Sequence, residues 1–495
     1  MIKIGKDIIK KQPNFWSNAL FHPTDAVEDS WGKRILDQMA KDHAVKTIRI
    51  YTMFEDIVYY DGDGKLQFDF RVSDLRIDYL LGLGYDLILS YAGIPDCIAQ
   101  STCYKSSMSN GATRYKGKMW NTSMPRDIAV WEDICYEYTK HNIERYGLGT
   151  VSKWWLQCFN EPDAKSFFLG DVEKGDEGVM MRCEKYCELY EAFVCGVCRA
   201  SDLLRIGGPA LAGIPLFLEG FLKKVKEKEL RLDFISLHNY GTHPSILERN
   251  DRKITLNATI EKQEKYLEII KEQGFADTDI ILDEWGVATS GFKNMTEFPV
   301  LEYRETEVFS AYYVKMISEF IRRDYKISKL LICLSGQHEM KTDFTGFRNF
   351  FTLNFIRKPI YNAHVLASGL HDGLVSYNCE NSNIFVIPTK DECGNYSVLL
   401  SYSSEYFDEN IETITEEIVF ADELGGNKIS IYRIDRDTTN PYRLYKKNNM
   451  GDLTAEDIQL LREEGKLSPV YTGTFNESEK LVLTPNSTYF ISIER

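Results

Sequence analysis

The chain has 495 residues, more than one hydrophobic core usually supports, so a large domain with at least one smaller companion is expected. Hydrophobic residues make up 43% of it and charged residues 27%, the composition of a folded globular protein, which excludes a disordered one. Lys and Arg number 59 against 74 Asp and Glu, a formal charge of −15, and this excludes a general binder of nucleic-acid backbones, which needs a basic surface to release counterions.

The chain opens MIKIGKDIIKKQPNFW, with charges throughout and no apolar run of signal-peptide length. No later stretch approaches the roughly 18 apolar residues of a membrane span. A cytoplasmic protein with no membrane partner is expected. Up to about residue 358, short apolar β-rich runs alternate with amphipathic helical stretches. Strands are predicted at Asn18–Phe21, Lys46–Tyr51, Asp86–Tyr91, Lys153–Phe159, Leu204–Gly208, Asp233–His238, Asp279–Asp283 and Lys329–Leu334. Helical patterns such as Val72–Leu83, Ile128–Tyr146 and Val308–Arg323 lie between them. Strands separated by helices pair in parallel through crossovers, and eight such units predict an α/β fold, a (β/α)8 TIM barrel over residues 14–358. A doubly wound dinucleotide sheet would carry a glycine-rich turn after its first strand, and Phe21-His-Pro-Thr has none.

After residue 359 the texture becomes that of an antiparallel β-sandwich, an accessory domain over 359–495. Its strands are predicted at Asn383–Pro388, Tyr396–Tyr402, Ile411–Phe420, Lys428–Ile434, Lys480–Thr484 and Thr488–Ile493. One helical insert, Thr454–Glu464, starts with a hydroxyl and early acids, as a helix amino terminus favours. The 11 cysteines lie mostly inside predicted helices and strands, Cys135, Cys158 and Cys333 among them, which suits reduced buried thiols better than a disulfide framework. The single CxxC, Cys195 to Cys198, falls in a helical run with no second pair or His cluster at zinc spacing. Neither a metal nor a cofactor is expected.

Catalytic groups of such a barrel sit at the carboxyl ends of its strands. Two ends stand out there. Trp154-Trp-Leu-Gln-Cys-Phe-Asn-Glu-Pro breaks from an apolar run into Asn160 and Glu161, and the proline prevents further pairing. Ile280-Ile-Leu-Asp-Glu-Trp-Gly ends the seventh strand, and strand alternation predicts that only one of Asp283 and Glu284 faces the axis. Either end alone is equally well a polar strand cap. Together they supply the two carboxyl groups that glycoside hydrolysis needs, one protonated for the leaving oxygen and one to attack the anomeric carbon. A third strand end places His238 and Tyr240 on one side by their i, i+2 spacing, where they could orient the nucleophile. Serine hydrolysis lacks a Gly-x-Ser-x-Gly elbow, and zinc hydrolysis lacks HExxH.

With those residues in place, Asn160-Glu161-Pro162 and Asp283-Glu284-Trp285 resemble the paired signature of clan A glycoside hydrolases. The surroundings resemble family 39, the β-xylosidase and α-L-iduronidase family. Asn121-Thr-Ser-Met-Pro-Arg-Asp with Trp131, Ile143-Glu-Arg-Tyr-Gly, Arg205-Ile-Gly-Gly-Pro-Ala and Asp233-Phe-Ile-Ser-Leu-His match in order. Tyr432-Arg-Ile-Asp-Arg-Asp-Thr-Thr-Asn and Leu453-Thr-Ala-Glu-Asp-Ile-Gln-Leu-Leu match the accessory sandwich of the bacterial xylosidase branch. The resemblance implies a barrel carrying a sandwich, to which the first dozen or so residues are candidates to contribute. It implies hydrolysis with retention, exo-acting on an oligosaccharide or glycoside, with Glu161 as general acid/base and Glu284 as nucleophile. It implies that Asn160 bonds the sugar 2-hydroxyl, that His238 and Tyr240 sit near the nucleophile, and that Trp285, His338 and Glu339 line the pocket. Two positions depart from the pattern. Tyr51 stands where the family usually has a sugar-contacting His, with His22 a candidate replacement, and Met340 stands where an acid is usual. A non-catalytic carbohydrate-binding protein and a transglycosidase are the alternatives, and homo-oligomerisation is left open.

Overall fold

A computed structural model describes the chain apart from residues 23, 106–120, 243–254, 290, 292, 336–338 and 405–410, and apart from the side chains of residues 25 and 242. Eight parallel strands close into a barrel: β1 (Asn18–Phe21), β2 (Thr47–Tyr51), β3 (Asp86–Tyr91), β4 (Trp155–Cys158), β5 (Arg205–Leu211), β6 (Phe234–Thr242), β7 (Asp279–Ala288) and β8 (Ile327–Leu334). Each pairs with the next in chain order, and β8 pairs back onto β1 through Leu331 to Leu334 against Asn18 to Phe21. All eight fall on the apolar runs read from the sequence. The main difference is that β6 and β7 continue past His238 and Asp283, which brings the following residues into the barrel mouth.

The interior follows the two-residue period of a strand. Ile88, Trp155, Phe234, Ile281 and Leu331 form one apolar plug. Two residues further along the same strands come Ser90, Gln157, Ser236, Asp283 and Cys333, all buried. A barrel is a packed core, so this change from apolar to polar marks where filling stops and the site begins.

Val58–Tyr60 and Leu66–Phe68 pair as a separate antiparallel hairpin, and nine further strands form one sheet in the order Tyr471–Thr474, Lys428–Ile434, Ser487–Glu494, Tyr396–Tyr402, Ile384–Lys390, Gly373–Cys379, Ile2–Lys11, Ile414–Phe420, Ser478–Leu483. The amino-terminal strand thus lies within this sheet, antiparallel to Gly373–Cys379 and parallel to Ile414–Phe420. The sheet curls over a core of its own in which Ile4, Val398, Ile418, Leu483 and Ile491 meet, and the Tyr489 hydroxyl donates to the Val482 carbonyl at 2.5 Å. Helix Ala455–Glu464 begins in a capping box, with Thr454 and Asp457 satisfying each other's backbone N–H groups.

Helix Glu307–Arg322 joins the two parts. Apolar residues surround it because it is covered on one side by the barrel and on the other by the sheet. Its buried polar groups have partners across the boundary: Lys315 donates to the Ser404 carbonyl at 3.0 Å, and Glu307 accepts from Arg443 at 2.7 and 3.0 Å. Helix Pro359–Ser368, just beyond residue 358, packs on the barrel, where the Trp16 indole donates to the Ala367 carbonyl at 2.9 Å.

Candidate active site

The chain leaves β4 through two left-handed residues, Phe159 (φ 63°) and Glu161 (φ 48°). Such backbone costs of order 1–3 kcal/mol per residue and persists only where neighbours fix it. The neighbour here is β5. The Glu161 N–H donates to the Ala210 carbonyl at 3.0 Å, and Asp163 accepts from the N–H groups of Ala212, Gly213 and Ile214 at 2.8, 2.9 and 2.9 Å. The Glu161 carboxyl is thereby aimed over the barrel mouth.

On β7 the expected alternation fails at one place. Leu282 pairs with Leu237 and Glu284 with His238, so Asp283 is an extra residue, a β-bulge. Because the bulge absorbs one step of the period, Asp283 and Glu284 both turn toward the axis, contrary to the expectation that only one would. The next residue pays for this direction. Trp285 points outward, stacks on Tyr313 with centroids 5.5 Å apart and meets Phe309 edge-on, and it is 1% exposed. It is a core residue between strand and helix, and the expectation that it lines the pocket is corrected.

The inward groups form one hydrogen-bonded cluster around Arg49 of β2, which is fully buried. Its guanidinium donates to Gln157 at 2.8 Å, to Glu284 Oε1 at 3.0 Å and to Asn160 Oδ1 at 2.7 Å, and lies 3.2 Å from Asp283. Gln157 holds Asp283 at 2.7 Å. Glu284 also accepts from Tyr51 at 3.1 Å and, on its other oxygen, from Tyr240 at 2.7 Å. The His238 Nδ1 is 2.8 Å from Glu161 Oε1, while its Nε2 is 3.6 Å from both Asp283 and Glu284. Arg348 lies over the Tyr240 ring at 4.7 Å and donates to Cys333 Sγ at 3.1 Å.

These contacts set two opposite protonation states. For Glu284 burial pushes the pKa up, but the charges of His238 and Arg49, the Tyr240 hydrogen bond and the charge of Arg348 outweigh it and bring the group to about 2. For Glu161 burial pushes the pKa up and the Glu284 charge adds to the rise, against the hydrogen bond and charge of His238, and the net direction is upward. Burial alone would neutralise His238, but the Glu284 and Asp283 charges raise it to about 10, so its Nδ1–H donates to Glu161. Glu161, His238 and Glu284 offer ligand atoms within 4.8 Å of one another. Arg49 and two tyrosines already occupy the Glu284 oxygens and the Nδ1 of His238 is engaged by Glu161, so the trio is arranged for proton chemistry rather than for a metal.

Of the residues singled out in the sequence, Glu161, Glu284, Asn160, His238, Tyr240 and Tyr51 are brought together. His22 packs edge-on against the Tyr51 ring, centroids 5.7 Å apart. Glu339 is half-buried on the loop after β8, Met340 is buried with its sulfur 3.1 Å from the Asn349 amide, and His338 lies outside the described residues. Arg49, Gln157 and Arg348 were not singled out as site residues. Arg49 and Gln157 could have been found as polar residues inside short apolar strands, in Thr47-Ile-Arg-Ile-Tyr and Trp155-Leu-Gln-Cys, whose burial demands partners. Arg348 lies on a loop with no comparable signal.

Residues 2–472 match the family model of glycosyl hydrolases family 39. The chain belongs to glycosyl hydrolase family 39. As a glycoside hydrolase of this family it is 25% identical over 524 aligned residues to a beta-xylosidase of Caldicellulosiruptor saccharolyticus, covering 100% of this chain and 98% of that protein. A shorter match, 31% identical over 172 residues, links 32% of this family 39 chain to 23% of the alpha-L-iduronidase of Homo sapiens. Its fold is similar to that of a monomeric beta-xylosidase from Caulobacter crescentus CB15, with a TM-score of 0.84 at 17% identity over 100% of this chain and 99% of that one.

Proposed function

We propose that this family 39 glycoside hydrolase is a retaining exo-glycosidase releasing a xylose-like terminal sugar, with Glu161 as general acid/base and Glu284 as nucleophile. The observation that carries the reading is the opposed environment of the two carboxyl groups, Glu284 held ionised at about 2 and Glu161 pushed upward, with oxygens within 4.8 Å. Carboxyl groups about 5–5.5 Å apart suit double displacement, whereas inversion needs about 6.5–9.5 Å to admit water.

In the first step Glu284 attacks the anomeric carbon while Glu161 protonates the departing oxygen. The hydrogen bond from His238 to Oε1 of Glu161 leaves the other oxygen to carry the proton toward the leaving group. Esterification then removes the Glu284 charge that had raised the pKa of Glu161. The same residue can now take a proton from water, which attacks the ester and releases the sugar with its configuration retained. Asn160, oriented by Arg49, is assigned to the 2-hydroxyl of the sugar. The xylose-like reading rests on the similarity to beta-xylosidases. Tyr51 donates to Glu284 at the position where the family resemblance implies a sugar-contacting imidazole. We also assign the protein to a reducing compartment, the cytoplasm, in keeping with its 11 unpaired cysteines. A panel of aryl α- and β-glycosides of pentoses and hexoses tests the proposal: hydrolysis of a β-xyloside is expected, and failure to cleave any member contradicts it.

A further inference from the structure

A cation lies against the β5 segment that holds Glu161, with no counter-ion among the described residues. Lys262 lies on helix Asn257–Glu272, donates one long hydrogen bond of 3.4 Å to the Ala212 carbonyl and sits 5.6 Å from the centre of the Tyr266 ring. Among the described residues no carboxylate comes within ion-pair distance of it. Burial lowers its pKa, and the charges opposing that are those of Asp163 and Glu161. Asp163 is already committed to the three backbone N–H groups of Ala212, Gly213 and Ile214.

One helical turn on, on the same face, Tyr266 is fully buried and its hydroxyl has no hydrogen-bond partner among the described residues. A buried donor left unmade is costly, so such a group points to something that satisfies it. Gly213 lies between the two. A Cβ there would stand 3.2 Å from Lys262 Nζ and 3.9 Å from the Tyr266 hydroxyl, so glycine lets both groups close in on this segment. The segment Ala210 to Ile214 ties the pair to Glu161, whose N–H it accepts, whereas Arg49, Tyr51 and Tyr240 surround Glu284. Whatever lies on the Glu161 side, away from Glu284, meets the departing group rather than the sugar that is attacked.

We propose that Lys262 and Tyr266 form a leaving-group subsite that selects glycosides whose departing residue carries a carboxylate, such as a uronic acid. The assignment rests on Glu161 being the general acid. A carboxylate has an oxygen for each donor and a charge for the ammonium, whereas a neutral hydroxyl would satisfy Tyr266 and leave Lys262 unpaired. The whole chain carries a formal charge of −15, which repels anions at long range, so this preference is set by local contacts.

The test compares β-D-xylosyl-glucuronic acid with its carboxyl-reduced counterpart, β-D-xylosyl-glucose, by calorimetric titration into the Glu284→Gln enzyme. The acid is expected to bind about tenfold tighter or more, the range of a charge-assisted hydrogen bond. That preference is expected to vanish in Glu284→Gln/Lys262→Met and to shrink in Glu284→Gln/Tyr266→Phe, with thermal melts showing each variant folded. Equal affinity for the two disaccharides, a preference that survives Lys262→Met, or binding of neither overturns the inference. Hydrolysis of aryl glycosides by the wild-type enzyme, measured alongside, reports separately on the Glu161 and Glu284 reading, which fails if all of them are inert.

Discussion

Replacing Tyr240 by Phe removes one oxygen and little else. The hydroxyl donates a 2.7 Å hydrogen bond to Glu284 Oε2, while the ring, capped by Arg348 at 4.7 Å, keeps its packing. A hydrogen bond to a charged group contributes about 1.5–3 kcal/mol. At ~1.36 kcal/mol per pKa unit this corresponds to about one to two units. Glu284, held at about 2 in the wild type, should therefore remain ionised at neutral pH in Tyr240→Phe but titrate well inside the acid range that can be assayed. Followed from about pH 8 down to about pH 3, kcat/KM for an aryl glycoside is expected to show no acid limb in the wild type and one at about pH 3–4 in Tyr240→Phe, with circular dichroism confirming the fold at each pH. The absence of an acid limb in Tyr240→Phe would refute the electrostatic account of Glu284. A loss of activity uniform across pH would assign Tyr240 a geometric role instead.

His238→Gln removes the charge and hydrogen bond that hold both carboxyls down, so both limbs of the pH profile should shift upward. His238 has its pKa raised to about 10, so its contribution to stability is complete below the ordinary histidine value of ~6.5 and is lost as pH rises through about 10. Urea midpoints should fall over that window by more in the wild type than in His238→Gln. Arg49→Met leaves Asp283 and Glu284 buried without their shared cation and should cost about 3–5 kcal/mol in urea unfolding. Trp285→Ala opens a cavity against Tyr313 and should cost about 3–5 kcal/mol without a specific effect on KM, whereas a large rise in KM at unchanged stability would return Trp285 to the pocket.

Much of this organisation was legible in the chain because barrel strands are buried on both faces and read as short apolar runs. Glu161 and Glu284 were conspicuous as acids at the ends of such runs. The bulge at Asp283 was not legible, since a single extra residue leaves no mark in composition, yet it decides that both acids turn inward and that Trp285 turns out. The place of Ile2–Lys11 in the sheet was expected from the family resemblance alone, not from its own residues. Its exposed charges fit an outer strand, but its partners Gly373–Cys379 and Ile414–Phe420 are supplied by the far end of the chain. Arg49 was visible as a residue but not as the centre of the site, because what makes it central is the convergence of β2, β4 and β7 on one point.

In the proposed mechanism Glu284 forms a covalent glycosyl intermediate. Treating the enzyme with 2-deoxy-2-fluoro-β-D-xylosyl fluoride and mapping the labelled peptide by mass spectrometry tests it most directly. One fluoroxylosyl group per chain, attached at Glu284, is the expected result. A label on another residue, or no label while xylosides are still hydrolysed, would contradict it.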